Sequence, residues 1–115
     1  MKMKRIEATI QIDKTGAVSD AIKGLVGGFT ILEGNGRGSC KRQTVRSGRG
    51  TSSVIEEFNR VATISTIVDD AKVEQILTAI SDAAFSGNAG DGIITVSTID
   101  EVLNIASKKR DAEAL

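Results

Sequence analysis

The chain has 115 residues, 40% of them hydrophobic, which is enough for one compact domain with a single core and too few for a second. Lys and Arg number 15, Asp and Glu also number 15, and histidine is absent, so the formal charge is zero and no global field favours nucleic acid or a membrane. One cysteine, Cys40, excludes an intramolecular disulfide, and no N-terminal apolar stretch is long enough for a signal peptide or a membrane span, which makes the cytoplasm the expected compartment.

Several chemistries lack their residues. Without His, Tyr or Trp the chain has no ordinary neutral-pH general base, no tyrosine to modify and no aromatic platform for single-stranded bases beyond Phe29, Phe58 and Phe85. No His or Cys cluster exists and the acids show no calcium-loop spacing, so no metal site is expected from the protein alone. The expectation is a protein that is not an enzyme.

In chain order, Ile6, Ala8, Ile10 and Ile12 alternate with polar residues over 5–12, the pattern of a half-buried strand. Asp13 or Thr15 is placed to cap a helix whose apolar stripe is Val18, Ala21, Ile22 and Leu25, with Gly27 and Gly28 as its stop. Phe29 to Leu32 reads as the second strand. From Gly34 to Ser53 the chain is rich in Gly, Ser and Thr with Val45 as the one aliphatic residue, which predicts a long flexible loop with room for a short hairpin.

Val61 to Val68, rich in β-branched residues, is the third strand. Asp69 and Asp70 open a second helix with Val73, Ile76, Leu77, Ile80 and Ala84 on its buried face. Residues 86–92 form a tight turn, Ile93 to Val96 a fourth strand, Ile99 to Ala106 an amphipathic helical turn, and 107–115 a charged, flexible tail. The order βαββαβ, with a long loop after strand two, predicts an α/β (α+β) ferredoxin-like split βαβ sandwich spanning 1–115. Helices cover one face of such a sheet, and the apolar residues left on the other suggest a partner subunit.

Three glycine clusters stand out: Gly34-Asn-Gly-Arg-Gly38, Ser47-Gly-Arg-Gly50 and Gly87-Asn-Ala-Gly-Asp-Gly92. Glycine lets backbone N–H groups approach an anion, so each is a candidate phosphate cradle, although neither a Walker nor a Rossmann fingerprint is present and a plain turn is the alternative. Arg37, Lys41, Arg42, Arg46 and Arg49 fall within thirteen residues with no acid between them, suiting either phosphate or an acidic protein surface. Cys40 lies among these cations, where a thiolate is favoured, but no second cysteine is present to resolve its oxidation.

The start Met3-Lys-Arg-Ile-Glu-Ala8, Gly28-Phe-Thr30, Gly34-x-Gly-Arg37, Arg49-Gly50, Phe85-x-Gly-x-x-Gly-Asp-Gly92 and the ending Asp111-Ala-Glu-Ala-Leu115 together resemble the PII nitrogen-regulatory proteins over the whole chain. The resemblance implies a homotrimer with ATP or ADP in clefts between subunits, magnesium and 2-oxoglutarate beside ATP, and a long loop that inserts into a transporter or enzyme. By motif, Gly34, Gly36 and Arg37, with Gly87, Gly90, Asp91 and Gly92, would bind nucleotide. Lys41, Arg42, Arg46 and Arg49 would serve the partner-binding loop, and Thr51 matches a position where some members carry a phosphorylated serine.

The chain departs from the family where Gly38, Ile93, Val61, Asn104 and Ala106 replace a glutamine, two lysines and two arginines. Charge-assisted phosphate contacts are worth roughly 1.5 to 3 kcal/mol each, so ATP affinity below the family's follows unless Lys108, Lys109 or Arg110 substitutes. The sequence reading is thus a divergent PII-like regulator sensing an adenine nucleotide. Two rivals remain open: a PII scaffold answering to ADP, AMP or another small anion or to none, and a nucleic-acid-binding module using the basic loop.

Overall fold

The computed structural model describes residues 2–38, 44–47, 52–55 and 58–115, with the backbone alone for the two middle segments. A four-stranded antiparallel sheet carries the fold, formed by β1 (Met3–Gln11), β2 (Thr30–Gly36), β5 (Asn59–Asp69) and β6 (Gly92–Ile99) in the order β2-β5-β1-β6. Helices α1 (Thr15–Ile22) and α2 (Val73–Ala84) pack against one another on one face, and β3 (Thr44–Ser47) pairs with β4 (Ser52–Ile55) in a separate hairpin. Because β5 runs antiparallel to both β1 and β2, those two strands are parallel with β5 inserted between them, the split βαβ arrangement expected from the element order.

Register explains the core. Ile6, Ala8 and Ile10 lie opposite Thr66, Ile64 and Ala62, and this row turns toward the helices, where Val18, Ile22, Ile76 and Ile80 close over it. Alternation then forces Thr9, Gln11, Val61, Thr63, Ser65 and Ile67 to the opposite face, where no helix lies and the β5 residues stay half-buried. Leu32 and Ile93 on this face are each 68% exposed. The one fully buried polar side chain among the described residues, Thr66, donates to the Gly28 carbonyl at 2.6 Å and so ties the segment after α1 to β5.

Several local expectations need correction. No side chain caps α1: a 3-10 turn over Ile12–Lys14 precedes it, and the Thr15 hydroxyl donates back to the Ile12 carbonyl at 2.7 Å. The helix stops at Ile22, ahead of Gly27 and Gly28, as Leu25 and Val26 amides turn back onto the Ile22 carbonyl. Asp69, at the helix start as expected, also accepts the Ala71 N–H at 3.1 Å and so caps the 3-10 turn Asp70–Lys72 that leads into α2. Strand β2 runs on through Gly34 to Gly36, because backbone pairing with Val61 and Asn59 needs no side chains. The stretch read as loop therefore begins later and holds β3 and β4, while 39–43 and 48–51 lie outside the described residues.

The helical turn expected over Ile99 to Ala106 is absent. Ile99 ends β6, Leu103 bridges Arg110, and a turn lies between them. Nor is 107–115 an unattached tail, since Asp111–Ala114 forms a 3-10 turn with Ala114 buried and its carbonyl accepting from Asn104 Nδ2 at 3.1 Å. Polar side-chain bonds, not an apolar stripe, fix this segment. Replacing Ile80, 1% exposed on the buried face of α2, by Ala is expected to cost about 3 kcal/mol in urea unfolding with an unchanged denaturant slope.

Candidate functional site

One end of the sheet gathers the two glycine motifs. β2 and β6 are its outer strands, and along that end Gly34 pairs with Val61, Val61 with Gln11, and the neighbouring Ile10 with Gly92. Three strand spacings separate the outer strands, which places the two motifs about 14 Å apart across the face that the helices leave open. Between them lie Thr9, Gln11, Val61 and Thr63, with the Thr9 and Thr63 hydroxyls joined at 3.0 Å.

The turn from Ser86 to Gly92 is built around a carboxylate. Asp91 accepts the Ser86 N–H at 2.6 Å, the Gly87 N–H at 3.1 Å and the Ser86 hydroxyl, while its own N–H donates to the Asn88 carbonyl at 3.2 Å. These bonds, led by the Ser86 hydroxyl and then its N–H, hold the Asp91 carboxyl below the usual carboxylate range, with the charge of Lys14 adding to the effect. Gln11 Nε2 donates to the Gly90 carbonyl, fixing the turn to the end of β1.

Two glycines in this turn are required by geometry. Gly87 has φ 89° and Gly92 φ 120°, both in the region side chains avoid. At Gly92 a Cβ would stand 2.0 Å from the Thr9 carbonyl oxygen and 3.1 Å from Ile10 Cα, so any other residue must push β6 away from β1. Gly36 is less constrained, since a Cβ there would only touch the Val61 methyls at 3.4 and 3.5 Å.

Arg37 leaves β2 exposed at the same end. Ile93 follows Gly92 onto the open face, so the position directly after the glycine turn offers an exposed aliphatic side chain in place of a cation. Of the remaining sequence-predicted residues, Arg46 lies on the β3 backbone, and Lys41, Arg42, Arg49, Thr51 and Cys40 lie outside the described residues. Among the described residues no group of His, Cys, Asp and Glu is arranged to hold a metal.

A pocket of about 470 Å³ opens at the opposite end of the sheet. Arg5, Gly28, Thr30, Ser65 and Ile67 line it, together with the chain's last residues. Sequence reasoning missed Gln11 and Arg5, which alternate along β1 as ordinary outward-facing polar residues and carry no motif.

An α+β sandwich of this topology, with glycine turns grouped at one sheet end and one face uncovered, defines a ferredoxin-like protein. The sequence model of the family described as Nitrogen regulatory protein P-II matches residues 3–109. Nitrogen regulatory protein P-II of Pyropia yezoensis is 37% identical over 98% of this chain and all of its own length, and that of Synechocystis is 36% identical over the same shares. Among solved structures, Arabidopsis thaliana PII bound to citrate superposes with a TM-score of 0.79 at 23% identity, covering 99% of this chain and 92% of that one. Bacillus subtilis GlnK gives 0.77 at 21% identity, with both chains fully covered. The chain belongs to the nitrogen regulatory protein P-II family of signal transduction proteins.

Replacing Gly92 by Ala is expected to cost about 2 kcal/mol or more, read by thermal unfolding, because both the positive φ and the Thr9 carbonyl oppose a methyl group. For Asp91→Asn the sign follows from the lowered carboxyl pKa. The stability that the carboxylate adds is present above its unfolded pKa and lost as pH falls through the folded value, so wild type and variant should differ at pH 7 and converge in the acid range below about pH 4.

Proposed function

We propose that this P-II family protein is a non-catalytic cytoplasmic regulator, a homotrimer that senses an adenine nucleotide in clefts between subunits and controls a target enzyme or transporter through the segment after β2. The observation that carries this reading is the division of the site within one chain. Gly34, Gly36 and Arg37 end one outer strand, Gly87 to Gly92 begin the other, and the pocket lined by Gly28, Thr30 and Ser65 lies at the far end of the sheet. A phosphate chain at the glycine turns of one copy, with its base in the far-end pocket of the next, uses both halves, and packing the open faces together buries Leu32, Val61 and Ile67 while Ile93 stays at the ligand cleft.

The ligand is ADP or AMP in preference to ATP. Ile93 and Val61 contribute no charge at the glycine turns, and a shorter phosphate chain needs fewer cations. Magnesium would accompany ATP through its phosphates. A second reading, a regulator answering to a small carboxylate or phosphate anion, draws on the citrate bound by the Arabidopsis protein.

Native mass spectrometry is expected to give a trimer, and isothermal titration calorimetry to show one site per subunit for ADP or AMP with no strengthening of ATP by 2-oxoglutarate. Absence of both heat and a melting shift with ATP, ADP and AMP would overturn the nucleotide reading. Because Ile93 is exposed, Ile93→Lys should fold normally and tighten ATP binding by about three- to ten-fold, as expected for one charge-assisted contact at a partly solvated site.

A further inference from the structure

The sheet face that the helices leave open carries little charge. Register puts Arg5 and Glu7 of β1 on it, two residues apart and therefore about 7 Å from one another along the strand. Beside Glu7 lie Ser65 of β5 and Thr95 of β6, and beside Arg5 lie Ile67 and Ser97, so no neighbour on either adjacent strand offers a counter-charge. Asp69 shares the face, but it stands at the end of β5 and is engaged in accepting the Ala71 N–H. Among the described residues neither Arg5 nor Glu7 joins an ion pair, and neither side chain makes a hydrogen bond. Glu7 is already half-buried on an inner strand, and Arg5 forms part of the wall of the far-end pocket with Thr30 and Ser65.

In a single chain both charges keep contact with water at little cost. Once the face is covered, as the apolar Leu32, Val61 and Ile67 favour, a carboxylate with no partner carries the desolvation penalty of an unpaired ion. One cation and one anion at successive positions of the same face make it complementary to a copy of itself, whereas a uniformly acidic or basic partner would meet a like charge.

We propose that the Glu7 carboxylate of each copy pairs with the Arg5 guanidinium of the neighbouring copy across the open face, closing a ring of reciprocal ion pairs. This inference rests on the homotrimer reading above and names the contact that fixes its register. The pairing also completes the far-end pocket, because the guanidinium in its wall is held and neutralised by a carboxylate from the next copy.

The test compares the full-length wild type with Arg5→Glu, Glu7→Arg and the double reversal R5E/E7R, by sedimentation velocity across a dilution series at low salt. Circular dichroism should show all four folded, because neither side chain has a partner among the described residues of its own chain. Each single reversal sets like charges face to face and should raise the concentration at which the trimer dissociates by at least about ten-fold, an effect that shrinks as salt is added, whereas the double reversal should return it to within about three-fold of wild type. Should a reversal unfold the chain, Arg5→Gln, Glu7→Gln and R5Q/E7Q serve in its place, each single variant then dissociating more readily than the double one, because it alone leaves a buried charge unpaired. Single variants that assemble as wild type does, or a double variant as dissociated as the singles, overturn the pairing and leave the homotrimer standing. A wild type that stays monomeric at every concentration overturns both.

Discussion

An antiparallel sheet with helices on one side only is a physical commitment that shapes the rest of this molecule. The helix-facing row from Ile6 to Ile10 and Ala62 to Val68 is sealed by α1 and α2. Strict alternation then sends every second residue to a face that mixes Thr, Ser and Gln with Val61, Ile67 and Ile93. Such a face is too apolar to be an ordinary solvent surface and too polar to be a core. In the proposed trimer other copies of the chain would cover it.

The glycine turn before β6 is fixed tightly to this sheet. Gly92 allows the backbone of β6 to come within a distance of the Thr9 carbonyl that no side chain would permit, and Gln11 holds Gly90 from the same strand. Asp91 supplies an internal anion that uses the Ser86 and Gly87 amides and thereby fixes the turn before any ligand arrives. Order is thus built into the turn by the protein's own carboxylate, the preorganisation that the proposed ligand site would use.

Much of this was legible in the sequence because period and propensity act locally. Ile6, Ala8 and Ile10 alternate cleanly, Val73, Ile76 and Ile80 recur at helical spacing, and Gly92 is flagged by its motif before its contact with Thr9 is seen. What escaped depends on partners distant in sequence. Gly34 and Gly36 have no side chains to signal a strand, and only pairing with β5 makes 34–36 one. The amphipathic pattern from Ile99 to Ala106 suggests helix, yet Asn104 draws the backbone into a turn by bonding amides two and three residues on. Arg5 and Gln11 gain meaning only from the elements packed around their ends.

In the proposed trimer one chain holds only half of each ligand site. A crystal structure of the protein grown with ADP tests it most directly. The account predicts nucleotide between two copies, with phosphates at Gly87 to Gly92 of one and the base against Gly28, Thr30 and Ser65 of its neighbour. Nucleotide enclosed by a single chain, or a site away from both glycine turns, would contradict it.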